Sequence, residues 1–402
     1  MSAVTETNPK DVVVSQTQTL AALFKSNVRG YGMLIALIAI MVYFQIVTNG
    51  TLLMPVNLTN LFLQNSYIVI MALGMLLIII AGSIDLSVGS VCGFIGAVAA
   101  VLMVRYDVHW ALAFMACLII GGLIGVWQGF WVAHIKIPGF IVTLAGMLIF
   151  RGLTLALLQG ESVGPFPVEF QRLSSGFIPD LFKVPGIHLT TLLIGAILSA
   201  LLIFMDVQSR RNQQKYNFEV LPLYLFIAKN VAITVAIMGL CTLLSSYNGL
   251  PNVLVVMMIL IAIYTFITNR TVLGRRIYAL GGNEKAAKLS GVNTPRLLFL
   301  TFVNMGLLAA LAGMVFAARL NSATPKAGNS FELDVIAACY IGGASASGGI
   351  GTVIGAIIGA FIMGVMNNGM SIMGVNIDWQ QVIKGLVLLL AVFFDIYNKN
   401  KN

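Results

Sequence analysis

Charged side chains are scarce in this sequence. Asp, Glu, Lys and Arg make up 9% of its 402 residues, where soluble domains carry about 25%. Histidine occurs three times and cysteine four times. His109, His134 and His188 stand singly, so no metal site is expected. Cys92, Cys117, Cys241 and Cys339 lie in apolar stretches, with neither disulfide nor zinc spacing, and read as small buried hydrophobes. No G-x-x-x-x-G-K-[ST] run is present, so the chain is not expected to bind or hydrolyse ATP. Paired carboxylates in a pocket context and a Ser/His/Asp arrangement are also missing, and no catalytic role is expected. No cleavable signal is visible: the first 24 residues are polar and mixed, and the first long apolar run is a full span.

What the chain has is hydrophobicity. Apolar residues reach 59% and the mean hydropathy is +0.95, so burial must be against lipid. A soluble enzyme, a nucleic-acid binder and a disordered scaffold are excluded. Apolar runs fall at 31–48, 66–81, 86–104, 110–133, 138–158, 189–205, 221–245, 251–268, 297–318, 334–347, 350–369 and 379–396. The expected fold is an all-α polytopic transmembrane bundle of ten to twelve spans. Residues 1–30 form an N-terminal tail and 31–398 a single membrane domain. Of the 23 Lys and Arg, 15 fall on the alternating segments that include both termini, and five on the opposite ones. By the positive-inside rule both termini are cytoplasmic. The net charge of +9 therefore orients the chain and does not imply a nucleic-acid partner. Arg151 and Lys229, inside spans, are expected to snorkel to an interface, unless the span holding Lys229 begins at Val231.

The most basic inner loop is 269–296, with six Lys or Arg and one Glu. Within it Asn283–Ser290 has helical composition, with Asn283 placed to cap and Gly291 to terminate. It reads either as a docking helix for another protein or as a basic tether on anionic lipid. Asp85 and Ser87 lie in an acidic, hydroxyl-rich break between two apolar runs. They read either as a polar path or as a tight turn in which Asp85 caps the next helix. Trp127 and Gln128, with Trp131, suit sugar stacking and hydrogen bonding, or an interfacial aromatic belt. Asn304, Asn367 and Asn368 line a path or bond helix to helix. Glu332 and Asp334 open a short segment, where carboxylates favour a helix N-terminus. Gly351, Gly355 and Gly359 form a small-residue ridge for close helix packing.

Four of these stretches resemble one family. Gly274–Asn283 running on to Ser290–Gly291, Ile84–Ser90, Ile137–Leu144, and Glu332–Ala338 with its glycine run are similar to bacterial ABC importer permeases of the ribose/xylose type. The resemblance covers nearly the whole chain from about residue 31. The apolar pair within 189–245 looks like an addition to the usual ten spans, as in xylose and multiple-sugar permeases. The resemblance implies an inner-membrane permease that works as a pair, with a second, identical permease chain. Its other implied partners are two ABC ATPase subunits, which carry the ATP, and a periplasmic sugar-binding protein. No cofactor is implied on this chain. Coupling to the ATPase falls to Arg275, Arg276, Gly282, Asn283, Glu284, Ala286, Ala287 and Gly291, although Glu284 stands one residue early relative to the wider importer pattern. Branched-chain amino acids or nucleosides are alternative cargoes. An ion-coupled secondary transporter is a further alternative, for which Asp85 is the one fair candidate group.

Overall fold

The computed structural model describes residues 28–182, 184, 186–218 and 220–400. The expected tail 1–30 lies outside these except for its last three residues. In hydrocarbon every backbone N–H and C=O must be satisfied within the protein, which favours helix wherever the chain is apolar. The described chain is accordingly helical: α1 (Val28–Val47), α2 (Pro55–Ile80), α3 (Val88–Ala100, extended by a π-helical turn Val101–Arg105), α4 (Trp110–Ala133), α5 (Gly139–Leu158), the single turn α6 (Val168–Gln171), α7 (Leu189–Lys215), α8 (Leu223–Ser245), α9 (Asn252–Arg270), α10 (Val272–Gly282), α11 (Glu284–Leu289), α12 (Thr294–Leu320), α13 (Phe331–Ile341), α14 (Val353–Ile372) and α15 (Ile377–Asn400). Nine of the described helices are long and apolar enough to span a bilayer.

Two boundaries depart from the sequence reading for physical reasons. Helix α2 begins at Pro55 rather than 66. Its first turns carry Asn57, Thr59 and Asn65, which lower the hydropathy but find partners inside the protein. Thr59 and Asn65 donate to the carbonyls of Pro55 and Leu61. Asn57 and Asn368 exchange amide hydrogen bonds of 2.9 and 3.2 Å between α2 and α14. A double-mutant cycle on Asn57→Leu and Asn368→Leu, read by thermal unfolding in detergent, is expected to give a coupling energy of about 1 kcal/mol.

The second departure is the run at 334–347. Helix α13 has 11 residues, about 16 Å of helix against a hydrocarbon core of about 30 Å. The crossing is completed by glycine-rich backbone, ending where the Gly349 N–H donates to the Ile80 carbonyl at the end of α2. Thr352 Oγ1 then caps α14 by accepting from Gly355 N–H at 3.0 Å. Gly351 thus lies outside the helix. Gly355 and Gly359 do lie against α13, where a Cβ would meet the carbonyls of Gly342 and Ala338.

The connections sort into two ends. At one, Val163 bridges Ala323, Phe177 bridges Pro251 and Phe166 N–H donates to Asn321 Oδ1. At the other lie residues 81–84, 134–139, 271–296 and 345–351. This is the alternation expected from the charge pattern. Helices α2–α5 and α12–α15 repeat the same order: a long helix, an extended break, a helix starting at mid-depth, then two more. Because α2 ends where α12 begins, the second copy runs inverted. Helix α12 packs on α4 as α14 packs on α2.

Residues 189–245 form a hairpin of α7 and α8 at the periphery. Few of its residues are buried, among them Gly195 against Cys241. Lys229 pairs with Asp206 across the hairpin at 2.5 Å.

Candidate functional site

Each copy of the repeat breaks near mid-membrane. After α2 the chain climbs in extended form beside α5. The Ser83 side chain lies against Gly139, Thr143 Oγ1 faces the Ile84 carbonyl, and Ser87 lies against Gly146. That rise along α5 is about 10 Å at 1.5 Å per residue. Helix α3 therefore starts inside the membrane. After α12 the chain descends, and Ala327 and Gly328 come to rest on Gly93 and Gly89 of α3. A Cβ on Gly89 would collide with the Gly328 carbonyl and the Glu332 carboxylate, so the two strands of backbone touch there. Helix α13 starts at this depth and runs the other way.

The starts of α3 and α13 carry a matched sequence. Ile84–Asp85–Leu86–Ser87–Val88, with Cys92 beyond, parallels Phe331–Glu332–Leu333–Asp334–Val335, with Cys339 beyond. The matched positions also have matched partners. Asp85 is buried and accepts from Ser87 N–H at 2.8 Å and Ser87 Oγ at 2.6 Å. Gln128 of α4 donates to Ser87 Oγ at 2.6 Å. In the second copy Asn367 of α14 lies near the Asp334 carboxylate. Where Gly146 of α5 faces Ser87, Lys384 of α15 reaches both oxygens of Asp334 at 3.0 and 3.2 Å. The first site holds a neutral hydroxyl and the second an ion pair.

Glu332 and Arg151 join them. Arg151 Nη2 stands 4.0 Å from Glu332 Oε1, so this arginine faces a carboxylate and does not snorkel. Glu332 Oε2 is buried without a partner. Ser90, Arg151, Thr154, Lys326 and Asn329 line a cavity of about 230 Å³ beside it. Reading the sequence missed Arg151 and Glu332 as site residues. The parallel acidic–Leu–Ser/Asp–Val pattern at 85 and 332 was the available signal.

Other expected path residues lie elsewhere. Trp127 is turned from Gln128, half exposed and edge-on to Phe150. Asn304 accepts a short hydrogen bond from the Tyr264 hydroxyl of α9. Asn368 is held by Asn57 at the end away from the basic loop.

The basic loop folds as two short helices. Thr271 caps α10 through Gly274 N–H at 3.2 Å, and Asn283 caps α11 through Ala286 N–H at 3.0 Å. Gly291, at φ +80°, ends α11, with the Val292 N–H returning to the Ala287 carbonyl. The helix expected over 283–290 is thus present. Arg275, Arg276, Gly282, Asn283, Glu284, Ala286 and Gly291 are exposed, while Ala287 is buried against the body. Leu289 projects at 90% exposure. Glu284 accepts from Thr294 Oγ1 at 3.3 Å. Inward, α10 is tied to the glycine segment: Tyr278 Oη donates to the Gly351 carbonyl at 2.6 Å. Burial raises the Tyr278 phenol above its ordinary pKa, which keeps this donor protonated. Gly281 packs directly on the Ile80 carbonyl and the Gly349 amide. A force on the exposed loop therefore reaches the segment that carries α13.

Comparison with known proteins agrees with this architecture. The chain is 39% identical to the xylose transport system permease protein XylH of Haemophilus influenzae, over 93% of this chain and 98% of that one. It is 37% identical to XylH of Escherichia coli K12, over 99% and 100%. It is 36% identical to the ribose import permease protein RbsC of E. coli K12, over 84% and 85%. No solved structure matches. The apolar helices and these relationships make the chain a multi-pass inner-membrane protein. Matched over residues 57–392 by the family of branched-chain amino acid transport system permease components, the chain belongs to that family as a membrane permease and not an enzyme.

Proposed function

We propose that this chain is the permease subunit of an ATP-driven importer for a neutral sugar of the xylose kind. The observation that carries this reading is the end-to-end relationship to the E. coli xylose permease, over 99% of this chain and 100% of that one. The ribose permease is matched over 84% and 85%. The family description favours a second cargo, branched-chain amino acids. Uptake of labelled xylose by cells expressing the full complex, challenged with excess pentose, hexose, leucine or nucleoside, separates them. Competition by leucine and not by sugars would remove the sugar assignment.

In this reading ATP is held by separate ATPase subunits, and a periplasmic binding protein delivers the sugar. A second identical permease chain completes the path. The exposed cations Arg275 and Arg276 and the apolar knob Leu289 form the docking surface for the ATPase. An isolated leucine at 90% exposure at the tip of a capped helix suits insertion into a partner's cleft, where central apolar anchors carry most of the binding energy. Leu289→Asp is expected to weaken ATPase association at least about 30-fold, a loss of about 2 kcal/mol. The permease itself should keep its thermal stability. ATPase recovered in the pull-down at wild-type yield would count against this docking surface.

A further inference from the structure

We infer that the cavity between α5 and the descending segment 321–330 is a monosaccharide subsite on the translocation path, an inference that rests on the sugar-importer reading above. The cavity lies beside the first turn of α3, between α5 and the segment that leads into α13. Broken helices at membrane depth are tolerated where they line a water-filled path. Arg151 has 38% of its side chain exposed there, and Lys326 and Asn329 are exposed beside it. Cations at this depth require water or another chain over them.

The lining offers both hydrogen-bonding senses, with two cations, Arg151 and Lys326, and the neutral Ser90, Thr154 and Asn329. Ser90 and Thr154 already donate to the carbonyls of Ser87 and Phe150, each at 2.7 Å. Their oxygens therefore face the cavity as acceptors. Arg151, Lys326 and the Asn329 amide are donors on the lining, and Glu332 stands behind Arg151 at 4.0 Å. A sugar hydroxyl, which donates and accepts at once, meets both kinds of group. Leu155 and Pro325 supply apolar wall for a sugar ring face. About 230 Å³ suits one monosaccharide.

The test uses the full complex of permease, ATPase and binding protein in proteoliposomes, with labelled xylose and glucose. Thr154→Leu, which fills the cavity, is expected to cut xylose uptake at least about tenfold. ATP hydrolysis stimulated by loaded binding protein should be retained. Thr154→Ser should transport like wild type. Leu155→Ala, at a half-exposed wall position, should raise the glucose-to-xylose uptake ratio by about fivefold or more through added room. Should Thr154→Leu also lose stimulated hydrolysis, the Leu155→Ala ratio decides. An unchanged ratio in Leu155→Ala, or wild-type uptake in Thr154→Leu, overturns the subsite. A wild-type complex that moves neither sugar overturns the importer reading, and the subsite with it.

Discussion

Lys384→Met is expected to lose most of its folded protein from the membrane. The substitution leaves the Asp334 carboxylate, 8% exposed, without the ammonium that contacts both its oxygens. Removing one partner of a buried pair costs about 3–5 kcal/mol, because the remaining charge is desolvated with nothing opposite it. Typical domains have only about 5–15 kcal/mol of total stability. The nearby Asn367 amide does not replace a full charge. Adding Asp334→Asn should therefore restore most of the lost protein, since it removes the orphaned charge and leaves a neutral site like that of Ser87 and Gln128. Detergent-solubilised yield and thermal unfolding of wild type, single and double variants check this. A double variant no better than Lys384→Met would show that the pair acts by something other than charge compensation.

Gly281 and Gly282 should respond in opposite ways to added bulk. A Cβ at Gly281 meets the Ile80 carbonyl and the Gly349 amide, both backbone, so no side-chain movement relieves it. Gly281→Val must push α10 off the glycine segment and break the Tyr278–Gly351 hydrogen bond. We expect uptake to fall at least about 100-fold and thermal stability to drop by about 2 kcal/mol or more, as for overpacking at a rigid contact. Gly282 has nothing within 4 Å and is exposed. Gly282→Trp should leave the permease as stable as wild type, yet abolish uptake by obstructing the ATPase. The paired measurement is thermal unfolding beside ATP-dependent uptake. Loss of stability in Gly282→Trp, or its absence in Gly281→Val, would contradict the division of this glycine pair into an inward and an outward member.

The same pair marks how far the sequence could be read. The basic loop was legible because its signals are local: Asn283 and Gly291 are capping residues at the right separation, and the surplus of Lys and Arg lies within one loop. The spans were legible for the same reason, since twenty apolar residues admit little besides a membrane helix. Helix α2 was read short because hydropathy counts an amide as polar whether or not a distant helix satisfies it. Asn57 is satisfied by Asn368, which lies far away in sequence.

The mid-membrane site was read only in fragments. Asp85, Ser87, Gln128 and Asn367 could each be named as polar residues among apolar ones. Nothing local showed that Gln128 bonds Ser87 while Lys384 pairs with Asp334. Nor did it separate these from Asn304 and Asn368, which serve as links between helices. By itself the sequence determined class, span composition, charge asymmetry and the capped basic loop, all of which depend on near neighbours along the chain. Tertiary structure decided what depends on an inverted copy folding back on the first. It placed the N-termini of α3 and α13 in contact, set Arg151 and Lys384 against carboxylates more than 40 residues away, and turned one glycine of an adjacent pair inward and the other out. Such pairings are chosen by packing between distant segments, because lipid offers apolar side chains no preference among their neighbours.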